Sequence, residues 1–313
     1  MMMLKSTLRH CSGQEIKNQK SKTWRADQGG FLYFMFYILF FVLSSMGCGN
    51  ISRGSLSQEA VKMAVLPAYS TALTSQKYLP LLNYLSRETG YEVQYIWGQS
   101  YSGLGAAIET SGADFVICDP LAYLTLQKTH RAKLLVISVG EAGQTEAPGM
   151  IFVPKGSQIT DPRSLKGKLV ACASMQSSEG FISQAVYLRS LGLLAGRDYR
   201  LLVCGTMDEA VKIVAEGKAQ AGFGGQGCLD PAMTGKLIPL ASTDPVPGWL
   251  CLSLKGDNYE VEEKLTQAFL RLGLENTEHK KLLEGLGYNG FAIPQGAGLK
   301  GLAEMARSLN VPF

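Results

Sequence analysis

The sequence predicts an α/β fold of two units, each a mainly parallel sheet covered by helices. Three observations carry this. Short apolar runs of β type alternate with helical patterns from residue 61 to 139, and the alternation starts again near Gly149. A chain of 313 residues is too long for one small core. Pro and Gly cluster at 147–150, between the two series, and again at 243–248.

Taken in order, VKMAVLPA from Val61 reads as a strand stopped by Pro67, and AYSTALT as the loop that follows. A helix over 76–89 carries Tyr78, Leu81, Leu82 and Leu85 on one face and ends at Gly90. Residues 91–97 alternate as a strand, 101–110 read as a helix, 114–118 as a buried strand, 121–129 as a helix and 133–139 as a strand. In the second unit MIFVP is a strand, 161–165 a short helix after Thr-Asp-Pro, and 168–173 a strand. That strand breaks into the polar loop 174–180 and then a helix with Phe181, Ala185, Val186, Leu188 and Leu191 at core-facing spacing. A strand over 199–204, a helix over 207–216 and strands over 219–223 and 237–242 follow. A Pro-rich crossing returns to strand at Trp249, and helices over 261–274, 278–286 and 299–309 finish the chain.

The loop 174–180 is the most informative stretch. A helix start presents backbone N–H groups without internal partners and the positive end of the helix dipole, so it can hold an anion. Ser177 and Ser178 stand where their hydroxyls would hold a ligand or simply cap the helix, since serine is among the commonest caps.

Charge excludes one class of partner. Six of the 30 basic residues but only two of the 26 acidic ones precede Phe31, so the remainder holds 24 of each, which argues against nucleic acid held by bulk electrostatics. The apolar run FLYFMFYILFFV at 31–42 is shorter than the roughly 20 residues of a membrane span and suits the h-region of a signal peptide. Gly47-Cys48 resembles the lipobox of bacterial lipoproteins, with Ser45 where a leucine is usual. This gives a signal peptide over 1–47, lipidation at Cys48 and a tether over 48–60; an uncleaved N-terminal anchor is the alternative, and either way the bulk is exported. Cys118, Cys172, Cys204 and Cys251 lie in apolar runs and, with Cys228, match no metal pattern, so no metal and no cofactor is expected.

An enzyme lacks residues to name. His10, His130 and His279 are not in strand-end loops beside Ser or Cys, no carboxylate pair is well placed, and GFGGQG and GLGYNG lack the order of a dinucleotide fingerprint.

Four segments in order resemble the periplasmic substrate-binding proteins of phosphate/phosphite/phosphonate ABC importers: YLPLLNYLSRETGYEV, YSGLGAAIETSGADFVICDPLAYL, ITDPRSLKGKLVACASMQSSEGFISQAVYLRSLG and TMDEAVKIVAEG. The resemblance covers about 61–274. It implies a type II clamshell with one lobe at 61–148 plus 247–313 and the other at 149–246, a two-crossing hinge at 147–150 and 243–248, and a small oxyanion held in the cleft for delivery to a permease with an ATPase partner, on the periplasmic or cell-surface side of the membrane. A clamshell feeding a membrane receptor or kinase is the alternative. By the same resemblance Ser177 and Ser178 hold the oxyanion, Gly180 permits close approach, Tyr101 and Tyr123 line the first lobe, and the loop with Tyr69 and Ser70 faces the cleft. Three residues depart from the pattern. Glu179 replaces a hydroxyl, Met207 a ligand-contacting histidine, and Gln220 an acidic residue. An ionised glutamate cannot donate a hydrogen bond and repels an anion; it also suits a helix start through the dipole.

Overall fold

A computed structural model describes residues 60–313 apart from 99, 102, 226 and 230–234. The expected signal peptide, Cys48 and most of the tether lie outside the described residues. Among those described, no helix is long and apolar enough to cross a membrane.

The first lobe is built from β1 (Ala60–Val65), α1 (Thr71–Thr89), β2 (Glu92–Trp97), α2 (Leu104–Ser111), β3 (Phe115–Cys118), α3 (Pro120–Thr129) and β4 (Lys133–Val139). The chain crosses on β5 (Glu146–Pro154) into β6 (Leu169–Cys172), α4 (Ser183–Ser190), β7 (Arg200–Val203), α5 (Met207–Ala215) and β8 (Ala221–Gly225). It returns on β9 (Leu237–Pro247) to β10 (Leu250–Ser253), α6 (Tyr259–Leu270), α7 (Thr277–Leu286), β11 (Gly290–Ala292) and α8 (Ala297–Ser308).

The strands form a six-stranded sheet in the order β11-β4-β10-β3-β1-β2 and a five-stranded sheet in the order β7-β6-β8-β5-β9. Both are mixed, with four of the six strands in the first and four of the five in the second running one way, so the expected mainly parallel sheets each carry antiparallel strands. β1 pairs in parallel with β2 and β3, but β10 lies antiparallel to β3 and β4, and β11 antiparallel to β4. In the second sheet β6 is parallel to β7 and β8, while β5 is antiparallel to β8 and β9. The cause is the double crossing: a strand that comes back from the other lobe enters the sheet from the far side and runs the opposite way.

The crossings are one feature. Glu146, Ala147 and Pro148 pair with Pro247, Val246 and Pro245, so 147–150 and 243–248 form a two-stranded ribbon with a register shift next to Gly149. A Cβ at Gly149 would fall 2.2 Å from Ser183 Oγ and 2.5 Å from Gln184 Nε2, so only glycine lets the ribbon pass this close to α4.

Each sheet has its own core. Val65, Val116, Val136 and Leu252 are buried in the first with Leu81, Leu85 and Phe269 from the covering helices. Ile151, Val170, Phe181 and Phe223 are buried in the second. At about 1.5–3 kcal/mol for each fully buried large apolar side chain, these clusters supply the main driving force for the lobes. The C-terminal helix does not follow the expected assignment of 247–313 to the first lobe: Leu302, Ala306 and Val311 join the second core, together with Leu121 from α3. Helix α1 begins five residues before the expected start, with Thr74 N and Thr74 Oγ1 bonded to Ser70 O and Tyr69 O, and it carries Pro80 inside.

Candidate functional site

The loop after β6 and the helical turn that follows it lie at the carboxyl end of a strand, where open α/β sheets present ligands. Ser177 starts the turn. Its Oγ accepts from Gly180 N at 3.0 Å and from Tyr101 Oη at 3.4 Å, the second bond coming from the other lobe. The next five residues, Ser178–Ile182, form a wide π-type turn before α4 takes over, a device often found at functional sites. A Cβ at Gly180 would fall 2.9 Å from Ser177 Oγ and 3.0 Å from Met207 Cε, so the expected close approach is made by the protein's own groups.

Ser177 and Ser178 are both buried. Ser178 N donates to Asp119 Oδ2 at 2.8 Å, its hydroxyl donates to Asp119 Oδ1, and Leu121 N donates to Ser178 Oγ at 3.2 Å. Asp119 also caps α3 through Leu121 N at 2.8 Å. Burial pushes its carboxyl up to about 6, and hydrogen bonds from Ser178, Leu121 and Ser177 pull the other way.

Glu179 is half-buried and bridges the lobes too. Its Oε1 accepts from Trp249 Nε1 at 3.1 Å. Burial raises its carboxyl to about 7; the Trp249 bond lowers it and the nearby Asp119 raises it further. The phenols of Tyr69, Tyr78, Tyr101 and Tyr288 and the Cys228 thiol face this carboxyl, each raised chiefly by burial, Cys228 to about 12. A Cβ at Gly225 would stand 2.4 Å from Glu179 Oε2, so the end of β8 is glycine where the carboxylate packs on its backbone.

The loop is fixed from behind by Gln184, buried on α4. Its Nε2 donates to Glu179 O at 2.6 Å, Gly224 O at 2.9 Å and Met150 O at 3.3 Å, tying the loop to β8 and to the crossing ribbon.

Of the expected residues, Tyr69, Tyr101, Ser177, Ser178, Glu179, Gly180 and Met207 come together. Met207 N donates to Ala68 O at 2.8 Å, and its sulfur lies where a Cβ on Gly224 would come within 3.1 Å. Ser70 meets the cleft through its backbone, donating to Asp208 Oδ1 at 2.8 Å. Tyr123 is the exception: it packs in the first core. Gln220 is also elsewhere, with its side-chain oxygen accepting from Leu169 N at 3.0 Å. Beside Tyr69 a cavity of about 630 Å³ opens between α1, α5 and α7, lined also by Lys77, Asp208, Cys228, Glu278 and Lys281. Among the described residues no cluster of three or more His, Cys, Asp or Glu could hold a metal ion.

Sequence reasoning missed Asp119, Gln184 and Trp249. Asp119 had a signal: an Asp-Pro step directly after a buried strand is both a helix start and a strand's carboxyl end.

Residues 63–297 match the family described as ABC transporter, phosphonate, periplasmic substrate-binding protein. A curated relative, the phosphate-import protein PhnD of Mycolicibacterium smegmatis, is 22% identical over 246 residues, 72% of this chain and 76% of the relative. Two solved structures share the fold. PhnD1 of Prochlorococcus marinus in complex with methylphosphonate has a TM-score of 0.72 at 17% identity, covering 82% of this chain and 100% of its own. The binding-protein component of a phosphonate ABC transporter from Pseudomonas aeruginosa has a TM-score of 0.71 at 16% identity, covering 81% and 87%.

Proposed function

The chain belongs to the periplasmic substrate-binding proteins of phosphonate ABC transporters, and from that premise we propose that it captures a phosphate-, phosphite- or phosphonate-like oxyanion between its lobes. The observation that carries the reading is the segment Ser177 to Gly180: two buried serines and a helical turn at a strand end, facing Tyr101 across the cleft. Closure is a population shift, driven only by contacts that exist when both lobes are engaged. The β5–β9 ribbon acts as the hinge, with lobe boundaries near 148 and 247, and the closed surface docks on the permease and its ATPase. Capture is the whole of the activity; the protein is not an enzyme.

The leader over 1–47 directs export, and lipidation of Cys48 holds the protein at the membrane surface. Globomycin treatment, which blocks lipoprotein signal cleavage, and a Cys48→Ser variant test this by the size and membrane fraction of the product.

Calorimetry of the purified protein with methylphosphonate, phosphate and phosphite tests the cargo. Saturable binding lost in the double variant Ser177→Ala, Ser178→Ala upholds the site; binding unchanged by that variant overturns it.

A further inference from the structure

The cradle that would take the oxyanion holds a carboxylate of the protein's own. Asp119, fully buried and rooted at the end of β3 in the first lobe, receives Ser178 N at 2.8 Å and the Ser178 hydroxyl from the second. A backbone N–H and a hydroxyl at the start of a helical turn are the donors an anionic ligand needs. Each donor carries one proton, and here both are spent. We propose that Asp119 is a tethered competitor of the oxyanion: a ligand reaches Ser178 only by displacing the Asp119 carboxylate. This rests on the oxyanion reading given above.

Two anions do not share this place. The titratable groups facing Asp119 are Tyr101 from the loop before α2, Cys118 on β3 and Glu179 on the serine loop, all acids. With no cation among them, a second negative charge beside Asp119 is repelled in a site where water screens poorly. Exchange is therefore the route. Being attached, Asp119 loses no translational freedom when it occupies the cradle, whereas a free ligand does. A free carboxylate such as acetate brings the same two oxygens at a higher entropic cost, so it is excluded. A tetrahedral oxyanion offers a third oxygen, which can reach donors such as Ser177 and Tyr101. Asp119 thus sets a threshold that rejects weakly held anions and selects by the number of oxygens presented.

The test is calorimetry of methylphosphonate on the wild-type protein and on Asp119→Ser, which removes the charge and keeps an oxygen suited to capping α3. The expected result is a Kd at least about tenfold lower in the variant, together with measurable acetate binding that the wild type lacks. In the wild type, affinity rises as pH falls from about 7.5 to about 5, because protonation loosens Asp119 from Ser178 N; in Asp119→Ser only the part of that rise owed to Glu179 remains. Asp119→Asn, matched in size and able to keep the cap, decides the matter if the serine variant does not fold. A Kd unchanged or raised in a folded variant overturns the competitor while leaving the oxyanion reading intact. Failure of the wild type and both variants to bind methylphosphonate, phosphate or phosphite overturns the oxyanion reading and the competitor with it.

Discussion

The two walls of the cleft are made in different ways. The second lobe contributes chiefly one run of four residues, Ser177 to Gly180, backed by Met207, Gly225 and Cys228. The first contributes Tyr69, Tyr78, Tyr101, Asp119, Trp249 and Tyr288, which come from separate segments and meet only when the six-stranded sheet is assembled. A wall built from one turn is tuned by local geometry, and a wall built from many elements by the packing of the whole lobe. Substitutions within the serine run should therefore act mainly through binding, and those in the composite wall, like those in the support behind the run, through both stability and binding.

The sharpest break is the double change Ser177→Ala, Ser178→Ala, which removes hydroxyls from the local wall. Methylphosphonate affinity should fall by about a hundredfold, which is about 2.7 kcal/mol, in calorimetry. Next is Gln184→Ala, which leaves the buried carbonyl of Gly224 and the partly buried ones of Glu179 and Met150 without that donor. A loss of about 2 kcal/mol in urea unfolding is expected, with weaker binding because the loop is released. Trp249→Phe keeps the packing of the composite wall but removes the donor to Glu179; about 1 kcal/mol is expected, measured the same way.

A smaller effect concerns acid. Glu179 stands near 7 in the folded protein against 4.5 unfolded, and Asp119 near 6 against 3.8, so the folded state holds protons that the unfolded chain has released. Stability contributed by protonation is then lost as pH rises through about 4 to 7, and the melting temperature should climb by a few degrees between about pH 8 and about pH 5. Glu179→Gln should remove the upper part of that climb, above about pH 6. Tyr123→Phe, on a side chain packed in the first core, should leave ligand affinity within about twofold; a larger drop would return Tyr123 to the cleft.

How much of this was legible follows the same division. The serine loop could be read because its signal is local: an apolar strand, small polar residues, then a helical period beginning at Phe181. Most element positions were readable for that reason. The reversed direction of β10 is not legible, because its partners are fixed by a chain that has passed through the other lobe, and nothing in LCLS records it. β11 has three residues with a glycine and lies in a segment that reads as a turn. AYSTALT has the composition of a loop, which puts the expected start of α1 at Gln76, whereas Ser70 sits at the actual helix start. Tyr123 follows the family pattern, yet on α3 its side faces the core, a matter of helix phase that a motif does not specify. Asp119 reads as a cap, and its second role depends on Ser178, 59 residues away.

Trp249 makes the closure visible. It is 5% exposed and its indole nitrogen is bonded to Glu179 on the opposite lobe, whereas Trp97, on an outer strand, is 48% exposed in the same structure. Separation of the lobes breaks that bond and wets the Trp249 indole while Trp97 keeps its surroundings; the third tryptophan, Trp24, falls in the leader proposed to be cleaved. The protein therefore carries its own optical gauge: the emission of Trp249 should shift to longer wavelength on opening and return on closing, against the constant background of Trp97.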